Sequence, residues 1–300
     1  MTILSEERRR EIANFLRTRR ERLKPDEVGV PPGGRRRTPG LRREEVAALA
    51  GVSTEWYTWL EQARAVRASA DALGRISGAL RLEPSASRHL LTLAGYGPQG
   101  NGDAGWRAAD VAPHLQRLLD RLDPYPALVY GERWDVVAWN RGATILYGDF
   151  AAMQGHERNM LSVLFLNRDM RHQLVDWPRA ARGIVAKVRA VYARYVDDPW
   201  YHEIIDLLCA ESPEFAAWWR DHEVHPYQDG VKSFDHPGAG RLTFDFSTFD
   251  LRDERFANLS LMTYVPQPGT GTLETMERLL ARQPAGGIES RLQATRREAW

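Results

Sequence analysis

Residues 41–62 read LRREEVAALAGVSTEWYTWLEQ, and their spacing predicts two short helices joined by a three-residue turn. The first helix carries Val46, Ala47, Leu49 and Ala50 on one face. Gly51 can take the positive φ that ends a helix sharply. Val52 can fill the angle between the helices, and Ser53 can cap the second with its hydroxyl. Tyr57 and Leu60 turn that second helix toward a core, which leaves Thr54, Glu55, Thr58 and Trp59 on its outer face. This is the layout of a helix-turn-helix, whose second helix meets base edges in the major groove of double-stranded DNA.

Working outward, one helix precedes the motif, with Ile12, Phe15, Leu16 and Leu23 on one side. Two follow it, one carrying Leu73, Ile76 and Leu80, the other Leu90, Leu91 and Leu93. Five short helices with the motif in second and third place resemble the phage-repressor-like (XRE) DNA-binding domain over about residues 5–95. Between the first helix and the motif lies KPDEVGVPPGGRRRTPG, residues 24–40, whose prolines and glycines argue against regular structure. It presents Arg35, Arg36 and Arg37 and runs into Arg42 and Arg43 at the next helix start. Beside a DNA-facing helix these are expected to hold phosphates or reach into a minor groove.

Charge supports two domains of different character. The net charge is +1, but residues 1–100 hold 18 Lys/Arg against 12 Asp/Glu and the rest 23 against 28. A basic module joined to a mildly acidic body suits a DNA-binding head with a separate sensor. Cys209 is the only cysteine, so neither an intramolecular disulfide nor a Cys-rich zinc site is available. With no apolar run of membrane-spanning length and a charged N-terminus, the protein is expected to be soluble and cytoplasmic, with no membrane partner.

GYGPQGNGDAGWRAAD, residues 95–110, reads as a linker. It lacks the G-K-[ST] ending of a phosphate loop. The expected domains are 1–95, the linker 96–110, a second domain 111–283 and a tail 284–300. Beyond the linker a helix carries Leu115, Leu118, Leu119 and Leu122, and residues 126–140 read as a β-hairpin around Gly131-Glu132. Helices are expected after Asn140 and over 157–167, 169–195 with a break at Trp177-Pro178, 199–210 and 212–222. Strands follow near 230–235, 240–250 and 258–265, then a helix over 270–282. Two strands, a block of helices and three strands is the order of a PAS-type sensor. The expected fold class is therefore multidomain: an all-α five-helix repressor-like domain, then an α+β PAS-like domain with an antiparallel sheet.

With both halves read, the chain resembles the MmyB-like transcription regulators. The passages that carry the resemblance are RRRTPGLRREEVAALAGVSTEWYTWLEQ, YPALVYGERWDVVAWNRGATILYGDF, ERNMLSVLF, LVDW and SPEFAAWWRDHEV, and it spans about residues 8–275. It implies a repressor-like head and a PAS-like domain that binds a fatty acid or related hydrophobic acid. One departure is Ala63 after Glu61-Gln62, where the family usually has glycine.

For a ligand, the expected walls are Tyr130, Val137, Trp139, Phe246 and Tyr264 from strands and Phe165, Trp177, Phe215 and Trp219 from helices, with Asn140, Asn159, Arg171 or His222 as polar anchors. Pockets combine an apolar lining with a few placed polar groups, and a buried carboxylate needs a donor to offset its desolvation. Strand parity is open here, because Val136 and Val137 are both apolar. His222 and His225 lack a clear third ligand, so no metal is expected. No nucleophile elbow, P-loop or zincin motif points to an enzyme, and no cofactor is expected beyond a bound fatty acid. A homodimer is expected because one recognition helix reads too few base pairs. The second domain as a dimerisation or interaction module without ligand stays open as the alternative.

Overall fold

The computed structural model of the chain describes residues 4–30, 40–96, 113–223, 230–253 and 256–283. It divides into two compact units, Met1–Asp103 with Arg182–Tyr227, and Ala104–Ala181 with Gln228–Trp300. This grouping places Arg182–Tyr227 with the first hundred residues.

In the first unit, α1 (Glu6–Arg22) is capped by Ser5, whose Oγ accepts from the Arg8 N–H at 3.2 Å. Acidic Glu6 and Glu7 open the helix and Arg19, Arg20 and Arg22 close it, which complements its dipole. The helices α2 (Arg43–Ala50), α3 (Thr54–Glu61), α4 (Ala70–Ala79) and α5 (Pro84–Leu93) complete the expected five. Ile12, Phe15, Leu16, Val46, Tyr57, Leu60, Leu73, Ile76, Leu90 and Leu93 form the core. Leu49 does not join it and is 44% exposed; over two helical turns the buried face of α2 closes on Val46, Ala47 and Ala50. Within the stretch expected to lack regular structure, Pro25–Val28 form a 3-10 turn, braced by the Lys24 N–H donating to Glu27 Oε2 at 2.6 Å.

The same unit contains α10 (Trp177–Tyr192) from Arg182 onward, α11 (Pro199–Glu211) and α12 (Pro213–Arg220). Asp198 and Ser212 cap the last two, each followed by proline at the first helical position. The break expected at Trp177-Pro178 is the start of α10.

The second unit is built on one antiparallel sheet of β1 (Ala127–Tyr130), β2 (Val136–Trp139), β3 (Gly230–His236), β4 (Gly240–Asp253) and β5 (Phe256–Pro266) in the order β2-β1-β5-β4-β3. On one face Leu115 and Leu119 of α6 (Pro113–Arg121), with Leu122 just after it, pack against Ala127, Val129, Val137, Ala138 and Leu259. The other face carries Phe244, Phe246 and Tyr264, which meet Tyr147 of α7 (Arg141–Tyr147) and Phe234. Shorter helices α8 (Met160–Phe165) and α9 (Arg168–Gln173) follow α7 in sequence, and α13 (Thr272–Arg282) closes the described chain.

Candidate nucleic-acid interface and ligand region

The helix-turn-helix is set by two left-handed turns and one buried ion cluster. Gly51 has φ 62°, and Val52 and Gly51 donate back to Ala47 and Ala48 at 3.0 and 3.2 Å, closing the end of α2. Ser53 Oγ accepts from the Trp56 N–H at 3.1 Å and starts α3. At the far end Arg64 and Ala63 donate to Trp59 and Leu60 at 3.0 and 3.2 Å. Ala63 there has φ 56°, a left-handed conformation in which a Cβ crowds the backbone. Ala63→Gly is therefore expected to raise stability by about 1 kcal/mol and Tm by about 2–4 °C, read by thermal unfolding.

Of the residues expected to read bases, Thr54 and Glu55 are exposed and Thr58 and Trp59 half-buried. The Thr58 hydroxyl donates to Thr54 O at 2.7 Å, which leaves its oxygen as an acceptor. Ser53 serves first as the cap. Arg42 is exposed, beside Glu44 at 3.4 Å. Arg43 is half-exposed, and its Nε donates to Glu61 Oε2 at 2.8 Å. Arg35, Arg36 and Arg37 lie outside the described residues.

Glu61 is the residue the sequence reading missed. Arg20 grips it with Nε at 2.6 Å and Nη2 at 3.0 Å, while Arg20 Nη1 donates to Leu41 O at 2.9 Å. Burial pushes the Glu61 carboxyl up, but the Arg20 and Arg43 hydrogen bonds outweigh it and hold it below the usual range. One carboxylate thus ties α1, the start of α2 and the end of α3.

In the sheet unit the expected ligand residues fall into two groups. Tyr130 stacks on Trp134, with ring centres 5.1 Å apart, Trp139 lies against Phe150 at 5.4 Å, and Phe246 lies 6.0 Å from Tyr264. The Tyr264 and Tyr147 hydroxyls bond each other. Phe165 meets Trp177 edge-on, the Trp177 Nε1–H donates to Leu164 O at 2.7 Å, and the Arg171 guanidinium lies 4.3 Å over the Trp177 ring. These residues form two aromatic clusters within the sheet unit. Val137 does not share them: a bulge at Val129/Tyr130 shifts its register, and it packs on the α6 side.

The polar anchors are mostly spent on the fold. Asn140 accepts from the Ala127 and Ala143 N–H groups, both at 2.9 Å, and donates to Leu119 O and Tyr125 O at 3.2 and 2.8 Å. Asn159 accepts from Leu161 N–H and donates to Arg133 O and Asp135 Oδ1. Phe215, Trp219 and His222 belong to the head unit, where Trp219 packs on Phe215 and Tyr192. They do not join the residues of the sheet.

A cavity of about 460 Å³ opens beside α8, lined by Met153, His156, Glu157, Ser162, Val163, Leu166 and Asn167. The buried Ser162 hydroxyl has no hydrogen-bond partner among the described residues. None of these residues stood out in the sequence, although a serine inside the apolar run MLSVLFL was a usable signal.

The segment 111–280 matches the family model described as MmyB-like transcription regulator ligand binding domain. The chain belongs to this family. Residues 11–90 match a model described as a helix-turn-helix domain, so the family member carries a DNA-binding head and a ligand-binding domain. No curated protein matches it. Among the described residues no helix is long and apolar enough to cross a membrane, and no three His, Cys, Asp or Glu side chains are grouped to hold a metal.

His89 and His222 of the head unit are buried and held well below the usual histidine range, His222 at about 3, by burial first and by nearby Arg189 second. Each is neutral in the fold. The unfolded chain takes up protons first, so their contribution is complete above pH 6.5 and is lost as pH falls toward the folded value. For His222 stability is expected to fall by on the order of 2 kcal/mol between pH 6.5 and 5, with His89 acting in the same direction, measured by urea unfolding.

Proposed function

We propose that this regulator binds DNA sequence-specifically as a cytoplasmic homodimer, with a fatty acid or related hydrophobic acid bound to a PAS-like domain as effector. The observation that carries the effector reading is the cavity beside α8, where Met153, Val163 and Leu166 offer apolar lining and His156 and Asn167 offer polar groups. The aromatic side chains of Trp139, Phe165, Trp177 and Phe246, with Arg171 beside Trp177, suit the same ligand class.

A titration of the whole chain with fatty acids of increasing length, followed by tryptophan fluorescence, tests this. Each buried methylene contributes about 0.8 kcal/mol, so affinity should climb with length until the site is full, and Tm should rise with it. A flat response without thermal shift rejects the effector. The second reading, a dimerisation module without ligand, is favoured by the mutual packing of Tyr147, Phe234, Phe244 and Tyr264, whose rings lie 5.8–6.1 Å apart and fill that part of the interior.

On the DNA side, Thr54→Ala or Glu55→Ala should cost roughly 1–3 kcal/mol on the selected site and relax preference at one position. Arg42→Ala should weaken all sequences alike and flatten the log-log salt slope by about 0.9. Equal losses of both kinds from all three variants would overturn the assignment of roles.

A further inference from the structure

The helix-turn-helix match ends at residue 90, yet the compact unit holding the recognition helix also contains Arg182–Tyr227. The join between the two segments is buried and charged. Arg189 of α10 is 0% exposed. Its Nη1 bonds His222 Nδ1 at 2.9 Å and reaches Glu11 Oε2 of α1 at 3.4 Å. Its Nη2 donates to Trp219 O, and the guanidinium lies 3.8 Å over the Trp219 ring. His222 O in turn accepts from Arg19 Nη2 of α1 at 2.7 Å, and Arg22 pairs with Asp221 at 2.8 Å.

The opposite end of α1 is held as well. Arg8, also buried, pairs with Asp197 at 2.8 Å and donates to Ala193 O and Arg194 O at 3.2 and 3.3 Å. From α1 the path continues to the recognition helix, because Arg20 grips the Glu61 carboxylate and Arg17 Nη2 donates to Glu61 O at 3.0 Å. Bonded groups therefore run without a gap from α12 through Arg189 and α1 to the end of α3.

Stability alone does not call for an arginine at the centre of this join. A fully buried guanidinium loses its hydration, and its one carboxylate partner is distant at 3.4 Å. A well-packed apolar side chain commonly serves such a place equally well. What the guanidinium adds is direction, since its planar fork fixes α1, Trp219 and His222 in one mutual arrangement.

We propose that Arg189 is a positioning residue for DNA reading, which makes 182–223 a working part of the head although the family model assigns that stretch to ligand binding. Helix α10 begins at Trp177 in the sheet unit and ends in the head unit. A change at its start therefore has a covalent route to Arg189, and from there a hydrogen-bonded one to α1.

The test is hydrogen exchange on the whole chain, with and without a duplex selected from a random library by the wild-type protein. The duplex should slow exchange in α3 and also in α10–α12. In Arg189→Met the α3 protection should persist, the α10–α12 response should vanish, and affinity for the duplex should fall at least fivefold. A merely structural arginine would alter basal exchange but not this response at a distance. If Arg189→Met does not fold, the double variant Arg19→Met/Arg22→Ala loosens α1 from His222 and Asp221 with the buried site intact, and the same loss is expected. A wild-type α10–α12 segment that ignores the duplex, or a response that survives in the folded variant, overturns the proposal.

Discussion

Glu61→Ala is expected to destabilise the head by about 3–5 kcal/mol, the usual penalty for breaking a buried ion pair from one side. Glu61 is 0% exposed, and both of its oxygens are occupied by arginine. Removing the carboxylate leaves the Arg20 guanidinium, itself 4% exposed, with Leu41 O at 2.9 Å and Glu21 at 3.4 Å as partners. The loss should exceed that of Arg43→Ala, because Arg43 is half in solvent and surface pairs contribute about 0–1 kcal/mol. Acid should act in the same direction. The folded Glu61 carboxyl sits below its ordinary value, so its contribution is present above the unfolded pKa and fades as pH drops through the folded one. Urea unfolding of the whole chain at pH 7, followed by helical circular dichroism, measures the effect. A cost under about 1 kcal/mol would mean that water or a relaxed Arg20 replaces the pair.

Most of the elements were legible because they rest on local rules. The hairpin at 127–139, the helix that follows Asn140 and the three late strands all follow from spacing and turn chemistry. What failed depended on distant partners. Asn140 reads as a capping residue or a ligand anchor equally well until Leu119 O and Tyr125 O are seen beside it. Val136 and Val137 give no parity, and the bulge that decides between them depends on pairing with β1. Arg189 did leave a trace. It falls at helical spacing between Val185 and Tyr192, on the apolar face of α10, where a solvated arginine would not sit. The packing of 182–223 with the head had no such trace, since two segments a hundred residues apart share no periodicity.

Gly40→Ala is expected to cost roughly 3 kcal/mol or more and to damage the motif beside it. In the sequence this glycine is only the end of a proline- and glycine-rich insert. In the fold it lies against the last turn of α1, where an added Cβ would meet Glu21 O at 2.3 Å and Arg20 O at 2.4 Å. Those atoms are backbone, so no side-chain rotation relieves the clash, and either α1 or the start of α2 must move. The neighbouring Leu41 N–H donates to Arg20 O at 3.0 Å and the Leu41 side chain is buried. Any displacement therefore also disturbs the Arg20–Glu61 pairing that sets α3. The substitution should lower Tm and weaken DNA binding together, although Gly40 touches neither a base nor the recognition helix. Gly29→Ala offers the comparison within the same connection. Nothing lies within 4 Å of its added Cβ and only its φ of 73° opposes the change, so a cost near 1 kcal/mol is expected. Comparable losses for the two variants in thermal unfolding would show that backbone conformation, rather than close approach to α1, sets the requirement at position 40.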